Sequence, residues 1–245
     1  MPDLAVLLVA EPAYFFAYMV FAMVGFSTTL IAAPIVAHVI PVPMFVPAQA
    51  LLDLLAASSN GIRLNTHVAR AEVIRLVPSM LLGSAFGAYI LFAVPLDALM
   101  LLLGVFVMLY AINGLRPKRQ PPLISSTWAW WYGGSGGMLS ALFGAGGWVY
   151  AIYLMRRIED PQAIRATQMT LIIVSAVIRV GLFAAAGQYM GVNLLALAAV
   201  LLPAMMLGLF VGNRITLKMN RKQFMRMLYF VLLITGASLI SRAIL

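Results

Sequence analysis

Residues 49–60 read QALLDLLAASSN, and residues 168–179 read QMTLIIVSAVIR. In both stretches, mostly polar side chains recur at intervals of four, three and four residues within an otherwise apolar segment. This spacing places the positions on one face of a helix. They are Gln49, Asp53, Ala56 and Asn60 in the first stretch and Gln168, Ile172, Ser175 and Arg179 in the second. Because polar groups are costly inside a membrane, two such stripes 119 residues apart predict a repeated binding site or pathway.

The composition is that of a multi-pass membrane protein. Hydrophobic residues make up 64% of the chain, charged residues only 9%, and the mean hydropathy is +1.02. The net charge of +9 does not indicate a nucleic-acid partner, because the basic residues fall in short runs between apolar spans. With no cysteine and two histidines, neither a metal site nor a cofactor is expected. The expected surroundings are the lipid bilayer.

Apolar segments divide the chain into two similar halves. Six have the length of a membrane span, at about 46–62, 74–94, 96–115, 163–186, 194–211 and 224–244. Two others, 13–40 and 128–155, are each interrupted near the middle, by residues 25–29 and 143–147. Each half is then one interrupted segment followed by three plain helices. The predicted repeats are residues 1–115 and 123–245, joined by a basic linker at 116–122.

A second repeated motif supports this division. The pattern Pro-x4-Gly-x3-Gly occurs in each half, as Pro78, Gly83 and Gly87 and as Pro203, Gly208 and Gly212. Small residues four apart let membrane helices approach closely. We therefore interpret these glycines as packing positions rather than as ligand contacts.

Charge placement indicates that the two halves are inverted. In the first half, the loop around Arg70 is basic and the loop around Asp97 is not; in the second, the later loop, containing Lys218, is the basic one. If basic loops are cytoplasmic, the halves cross the membrane in opposite senses. Each interrupted segment must then be a broken or re-entrant hairpin, with Arg156 and Arg157 cytoplasmic and both termini periplasmic. Eight plain crossings with parallel halves remain the alternative.

Several polar residues are candidates for binding a small anion. Arg179 lies deep in an apolar segment, where it could hold an anion or pair with Asp53. Interrupted helices expose backbone N–H groups and a helix N-terminus, which suit anions. The candidate substrate-binding residues are Arg179, Gln49, Gln168, Ser27, Thr28, Thr29, Gly144, Gly146, Gly147, Asn60 and Ser175, with Asp53 as a possible coupling residue. Glu72, near Arg70 and Arg75, is interpreted as an interfacial ion pair.

The chain resembles the TauE/SafE family of sulfite and organosulfonate exporters over nearly its whole length. The resemblance rests on the two glycine-containing breaks, on Pro34, on residues 163–170 and on the two Pro-Gly-Gly sets. The first break departs from the family pattern, with Ser27, Thr28 and Thr29 in place of glycines. The resemblance implies export of sulfite, sulfoacetate or a related sulfur oxyanion across the bacterial inner membrane, with a possible coupling proton or ion.

The leading interpretation is a secondary transporter that works by alternating access, through rocking of inverted halves around a midplane site. One rival is a membrane scaffold or assembly subunit that transports nothing, and another is an anion channel. An enzyme is not expected, since neither histidine is placed to serve as a base for Ser135 in the GGSGG stretch.

Overall fold

The computed structural model describes residues 4–24, 28–61, 67–115, 123–214 and 221–244. Within these ranges every regular element is a helix, which confirms the predicted all-α class. The α-helices are α1 (Leu4–Val24), α2 (Thr29–Val36), α3 (Val42–Gly61), α4 (Arg70–Ala93), α5 (Leu96–Leu115), α6 (Ala129–Phe143), α7 (Gly146–Met155), α8 (Pro161–Ala185), α9 (Val192–Arg214) and α10 (Arg221–Ile244). Short 3₁₀ turns, Ser126–Trp128 and Gln188–Met190, precede α6 and α9.

Among the described residues, the helices long and apolar enough to cross a membrane are α3, α4, α5, α8 and α9, and α1 and α10 contain shorter apolar stretches. All six predicted spans therefore coincide with helices. α8 begins two residues before its predicted start because its N-terminus is well capped. The Asp160 carboxylate accepts hydrogen bonds from the backbone N–H groups of Gln162 and Ala163, and Pro161 occupies the first turn.

The second predicted interruption is present between α6 and α7. Gly144 has a φ of 67°, a left-handed conformation that glycine adopts without steric cost. The resulting α7 has 10 residues, about 15 Å of helix, which is too short to span the hydrocarbon core. A turn of the chain therefore separates two short helical arms in this half.

The first interruption lies at the predicted position, between the end of α1 at Val24 and the start of α2 at Thr29, but its segment begins earlier than predicted. α1 starts at Leu4 and continues through Pro12, so a 21-residue arm precedes the eight-residue α2. An internal proline is tolerated in membrane helices because neighbouring groups can satisfy the freed carbonyl. The segment is thus not interrupted near its middle, and the two halves differ in the length of their first arm.

The two halves interlock through reciprocal helix pairs. α4 packs on α6, and its counterpart α9 packs on α1; α3 packs on α8, and α5 on α10. A Cβ atom at Gly83 would overlap the carbonyl oxygen of Gly134 on α6, and one at Gly208 would overlap that of Phe15 on α1. The packing role inferred for the Pro-x4-Gly-x3-Gly motifs is confirmed. Ser135, in the GGSGG stretch, donates to the carbonyl oxygen of Trp131 within α6.

An ion-pair cluster ties the start of α4 to the end of α7. The Glu72 carboxylate accepts from Arg75 Nη1 at 2.7 Å, from Arg157 Nη2 at 2.9 Å and from the Tyr153 hydroxyl at 2.6 Å. Arg157 Nη1 also donates to the carbonyl oxygen of Ile124 at 3.0 Å. The hydrogen bonds with Glu72 raise the pKa of Arg157 and keep it charged. Glu72 is an ion-pair residue, as predicted.

Candidate functional site

The two polar stripes meet where α3 packs on α8. Arg179 Nη2 donates to Oδ2 of Asp53 at 3.0 Å, and the two residues are only 2% and 7% exposed. Of the two roles that the sequence left open for Arg179, the ion pair is therefore present. The pair joins the two halves of the chain, since Asp53 belongs to the first and Arg179 to the second.

The other oxygen of Asp53 is held by two hydroxyl groups. Oδ1 accepts from Tyr18 of α1 at 2.9 Å and from Thr28, just before α2, at 2.7 Å. A buried carboxylate is stable only when its lone pairs are occupied in this way. The Asp53 side chain therefore gathers α1, the start of α2 and α8 around one point.

Gln49 lies one helical turn before Asp53 and is almost fully buried. Its Nε2 donates to the hydroxyls of Thr28 at 2.8 Å and Thr29 at 2.6 Å, and its Oε1 accepts from Tyr14 at 3.3 Å. Gln49 therefore positions the two threonines that open α2.

A cavity of about 20 Å³ lies beside the ion pair. Arg179, Asp53 and Thr28 form part of its wall, and α6 and α7 supply Ser140, Gly147 and Tyr150. The hydroxyls of Ser140 and Ser175, which also line it, lie 2.6 Å apart. This volume is room for about one water molecule, so a larger occupant requires the walls to separate.

Unpaired hydrogen-bonding groups border this cavity. Among the described residues, Nε and Nη1 of Arg179 and the hydroxyl of Tyr150 have no hydrogen-bond partner. Tyr150 is fully buried, and Ser175 lies beside its hydroxyl without meeting it at hydrogen-bonding geometry. Buried groups left without partners destabilise a protein, and they are usual where a ligand binds.

Both short helices begin at the cavity. Thr28 is the N-cap of α2, and Gly147 lies in the first turn of α7; both line the cavity. Neither helix has a side-chain cap at its N-terminus. The first backbone N–H groups of a helix have no partner within it, so the cavity receives two partial positive charges besides Arg179.

The cavity is lined by residues from corresponding positions of the two predicted repeats. Its lining includes three pairs of residues that are 119 positions apart in sequence, the same offset as the polar stripes: Phe21 and Ser140, Thr28 and Gly147, and Asp53 and Ile172. Corresponding positions therefore face one another across the same small space, although their chemistry differs. The negative charge comes from the first half and the positive charge from the second.

Comparison with known proteins assigns the family. The sequence pattern described as Sulfite exporter TauE/SafE matches residues 12–239. The chain belongs to this family. A similar protein from Comamonas testosteroni, named "Probable inner membrane transporter protein TsaS", is 27% identical over 192 residues, which cover 77% of this chain and 80% of that protein. No solved structure matches.

The resemblance drawn from the sequence is thus confirmed, and this TauE/SafE chain is a multi-pass protein of the inner membrane. Family and relative together point to transport of sulfur compounds across a membrane rather than to an enzymatic role.

Most predicted site residues of the TauE/SafE chain gather at the cavity. Six of the predicted residues line it, namely Arg179, Asp53, Thr28, Ser175, Gly144 and Gly147, and Gln49 and Thr29 lie directly behind them. Gly144 is also a close-packing position, because a Cβ atom there would overlap the Thr29 hydroxyl. The expected meeting of the two breaks is therefore seen in the contact between Thr29 and Gly144.

Other predicted residues lie elsewhere. Gln168 is half-buried. It lies one helical turn before Ile172 and does not line the cavity, so the structure does not bring it to Arg179. Gly146 faces α6, where a Cβ atom would overlap the carbonyl oxygen of Gly136. Asn60 lies at the end of α3 with its side chain outside the described part, and Ser27 falls outside the described residues altogether.

Aromatic hydroxyls at the site of this TauE/SafE protein were not predicted from the sequence. Tyr14 and Tyr18 are spaced four residues apart on α1, as are their partners Gln49 and Asp53 on α3. That matched spacing was a usable signal. Tyr150 follows Gly147 by three residues and so shares its helix face, which also could have been noticed.

Proposed function

We propose that this TauE/SafE protein is a secondary transporter that exports small sulfur oxyanions, such as sulfite or sulfoacetate, through the Arg179 cavity. One observation carries the proposal: a fully buried guanidinium has two nitrogens without partners beside a cavity. A buried positive charge attracts an anion strongly because little water screens it. Its planar N–H groups match the oxygens of a sulfonate or sulfite group.

The remaining groups of the cavity complement such an anion. The Tyr150 hydroxyl is an unused donor, and the hydroxyls of Ser140 and Ser175 can each turn to donate. The N-termini of α2 and α7 add backbone donors, as is common where transporters bind anions at broken helices. The oxyanion would be held between the two halves, with Arg179 as its fixed counter-charge.

Access to this site would alternate between the two membrane faces. Support comes from the small volume of the cavity: about 20 Å³ is too little for a three-oxygen anion, so the walls must part for it to bind. Support also comes from the residue pairs at the 119-residue offset, since inverted repeats place the binding site on their common axis. In our proposal the two halves are inverted, and opening on one side accompanies closure on the other.

Transport by purified protein in liposomes tests this function. Vesicles loaded with radiolabelled sulfite, sulfate, thiosulfate or sulfoacetate should release a sulfur oxyanion with saturable kinetics, and unlabelled anion outside should accelerate the release. Vesicles carrying Arg179→Gln protein are the matched control and should match protein-free vesicles.

The rival functions give different results in the same assay. A channel would release anion without saturation and without acceleration by external substrate. A scaffold or assembly subunit would release none of the anions, and that outcome would refute transport.

A further inference from the structure

We propose that Asp53 is a proton-binding site linked to the anion site, so that each anion bound by Arg179 is carried together with one proton. The inference rests on the proposed function, because it concerns the same cavity. Its starting point is that Asp53 already occupies one nitrogen of the guanidinium that the anion would use.

The charges around Asp53 balance without an anion. Arg179 faces it from α8, and the hydroxyls of Tyr18 and Thr28 face it from α1 and the start of α2. The further titratable groups near the pair are Tyr14 on α1, Tyr150 on α7 and Tyr189 before α9. α4, α5, α6, α9 and α10 add no charged group to the described cavity wall. The carboxylate and the guanidinium therefore cancel.

A monovalent anion disturbs this balance. On Arg179 it would give the buried site a net charge of −1, and a buried charge without compensation is strongly unfavourable. Asp53 is the acidic group in direct contact with Arg179, so one proton on its carboxylate restores neutrality.

The hydrogen-bond geometry identifies the oxygen that takes the proton. Oδ1 keeps its two hydroxyl donors, Tyr18 and Thr28, and remains an acceptor. Oδ2 accepts only from Arg179 Nη2 among the described residues; once the anion neutralises the guanidinium this contact weakens, and Oδ2 becomes the O–H group. The proton comes from water on the side from which the anion enters and leaves with the anion on the other side. No other bond changes.

This coupling determines what drives transport. A monovalent anion and one proton carry no net charge together, so the membrane potential does no work on their movement. Export would then follow the anion and pH gradients, whereas a divalent anion would carry one net negative charge. Anion affinity should fall as pH rises, because binding requires a proton.

The test uses the full-length protein in nanodiscs and methanesulfonate, which does not titrate near neutral pH. Calorimetry in two buffers of different ionisation enthalpy should report uptake of one proton per anion bound. Between pH 6 and pH 8 the affinity of the parent protein should fall by up to about tenfold per pH unit.

Asp53→Asn should bind methanesulfonate with a pH-independent affinity and no proton uptake. Asp97→Asn, the same change at an exposed carboxylate on α5, should behave like the parent. If Asp53→Asn does not fold, the proton count on the parent protein still decides. Binding of methanesulfonate without proton uptake would overturn this inference and leave the proposed function intact, whereas failure of methanesulfonate, sulfite and sulfoacetate all to bind would refute the proposed function itself.

Discussion

Arg179 and Arg157 both form ion pairs with an acidic residue of the first half, but the two guanidinium groups are satisfied very differently. Arg157 uses all three nitrogens: Nε and Nη2 contact Glu72, and Nη1 contacts the carbonyl oxygen of Ile124. Arg179 uses Nη2 alone among the described partners. The side chain of Arg157 is 25% exposed and that of Arg179 only 3%, so the deeper arginine is the less satisfied one.

This contrast distinguishes a structural ion pair from a binding site. Stability favours a buried charge whose donors are all used, and a completed network such as that of Glu72 rigidifies the helices that it joins. Unused donors at greater depth lower stability unless a ligand uses them. The distribution of partners, rather than burial or charge alone, therefore singles out the Arg179 cavity.

The largest expected effect is a loss of anion affinity on substitution of Arg179, with Arg157 as the comparison. Arg179→Gln should weaken binding of the transported anion by at least about a hundredfold, because a buried charge-assisted contact is lost. Arg179→Lys keeps the charge but loses the planar pair of donors, so its anion affinity should lie between those of the parent and of Arg179→Gln. Arg157→Gln should leave the affinity close to that of the parent and lower the thermal midpoint instead. Titration calorimetry and thermal unfolding of the same three preparations would measure both quantities.

Removing both charges of the cavity pair sharpens the comparison further. Asp53→Asn combined with Arg179→Gln leaves no buried charge, so we expect folding near the parental level and no transport. A double variant that folds and still carries a sulfur oxyanion at the parental rate would reduce Arg179 to the structural role of Arg157. Efflux from liposomes is the readout.

A smaller effect is expected from two tyrosines three residues apart on α7. Tyr150→Phe removes the unused hydroxyl at the cavity and should weaken anion binding by about tenfold, the value of one hydrogen bond. Tyr153→Phe removes a donor to Glu72 and should lower the thermal midpoint with unchanged KM. Equal effects of the two changes on KM would show that α7 acts only through packing.

The smallest effect is expected from a cysteine at the loop that contains the Arg157 cluster. Glu159→Cys lies at an exposed position just after Arg157, so activity should stay at the parental level. An impermeant maleimide should label it in inside-out vesicles and not in intact cells, because the proposed inverted arrangement would place this loop in the cytoplasm. Labelling in intact cells would support parallel halves instead.

The helices and the ion pair at the centre of the site could be predicted from the sequence. Asp53 and Arg179 were identifiable because a polar residue in an apolar helix is rare and its spacing fixes the face. Asp160 and Pro161 likewise mark the start of α8, although the predicted bound lay two residues later.

The remaining parts of the site depend on how the breaks fold. Gly146 and Gly147 are adjacent in sequence and equally plausible at a binding site, yet only Gly147 faces the cavity. The side of α7 on which Gly146 and Gly147 each lie depends on the left-handed turn at Gly144, and sequence spacing does not determine that turn. Gln168 shares the helix face of Ile172, Ser175 and Arg179 but is not among the cavity-lining residues, because the polar stripe extends further along α8 than the cavity does.

The reciprocal packing of α4 on α6 and α9 on α1 determines which parts of the molecule can move as units. The backbones approach closely at Gly83 and Gly208, so in the proposed transport cycle we expect each pair to move as one unit. Each such pair contains one helix from either half. In this proposal each moving unit combines helices from both predicted repeats. Fragments 1–115 and 123–245 produced as separate polypeptides should therefore function only when they associate, with α4 packed on α6 and α9 on α1.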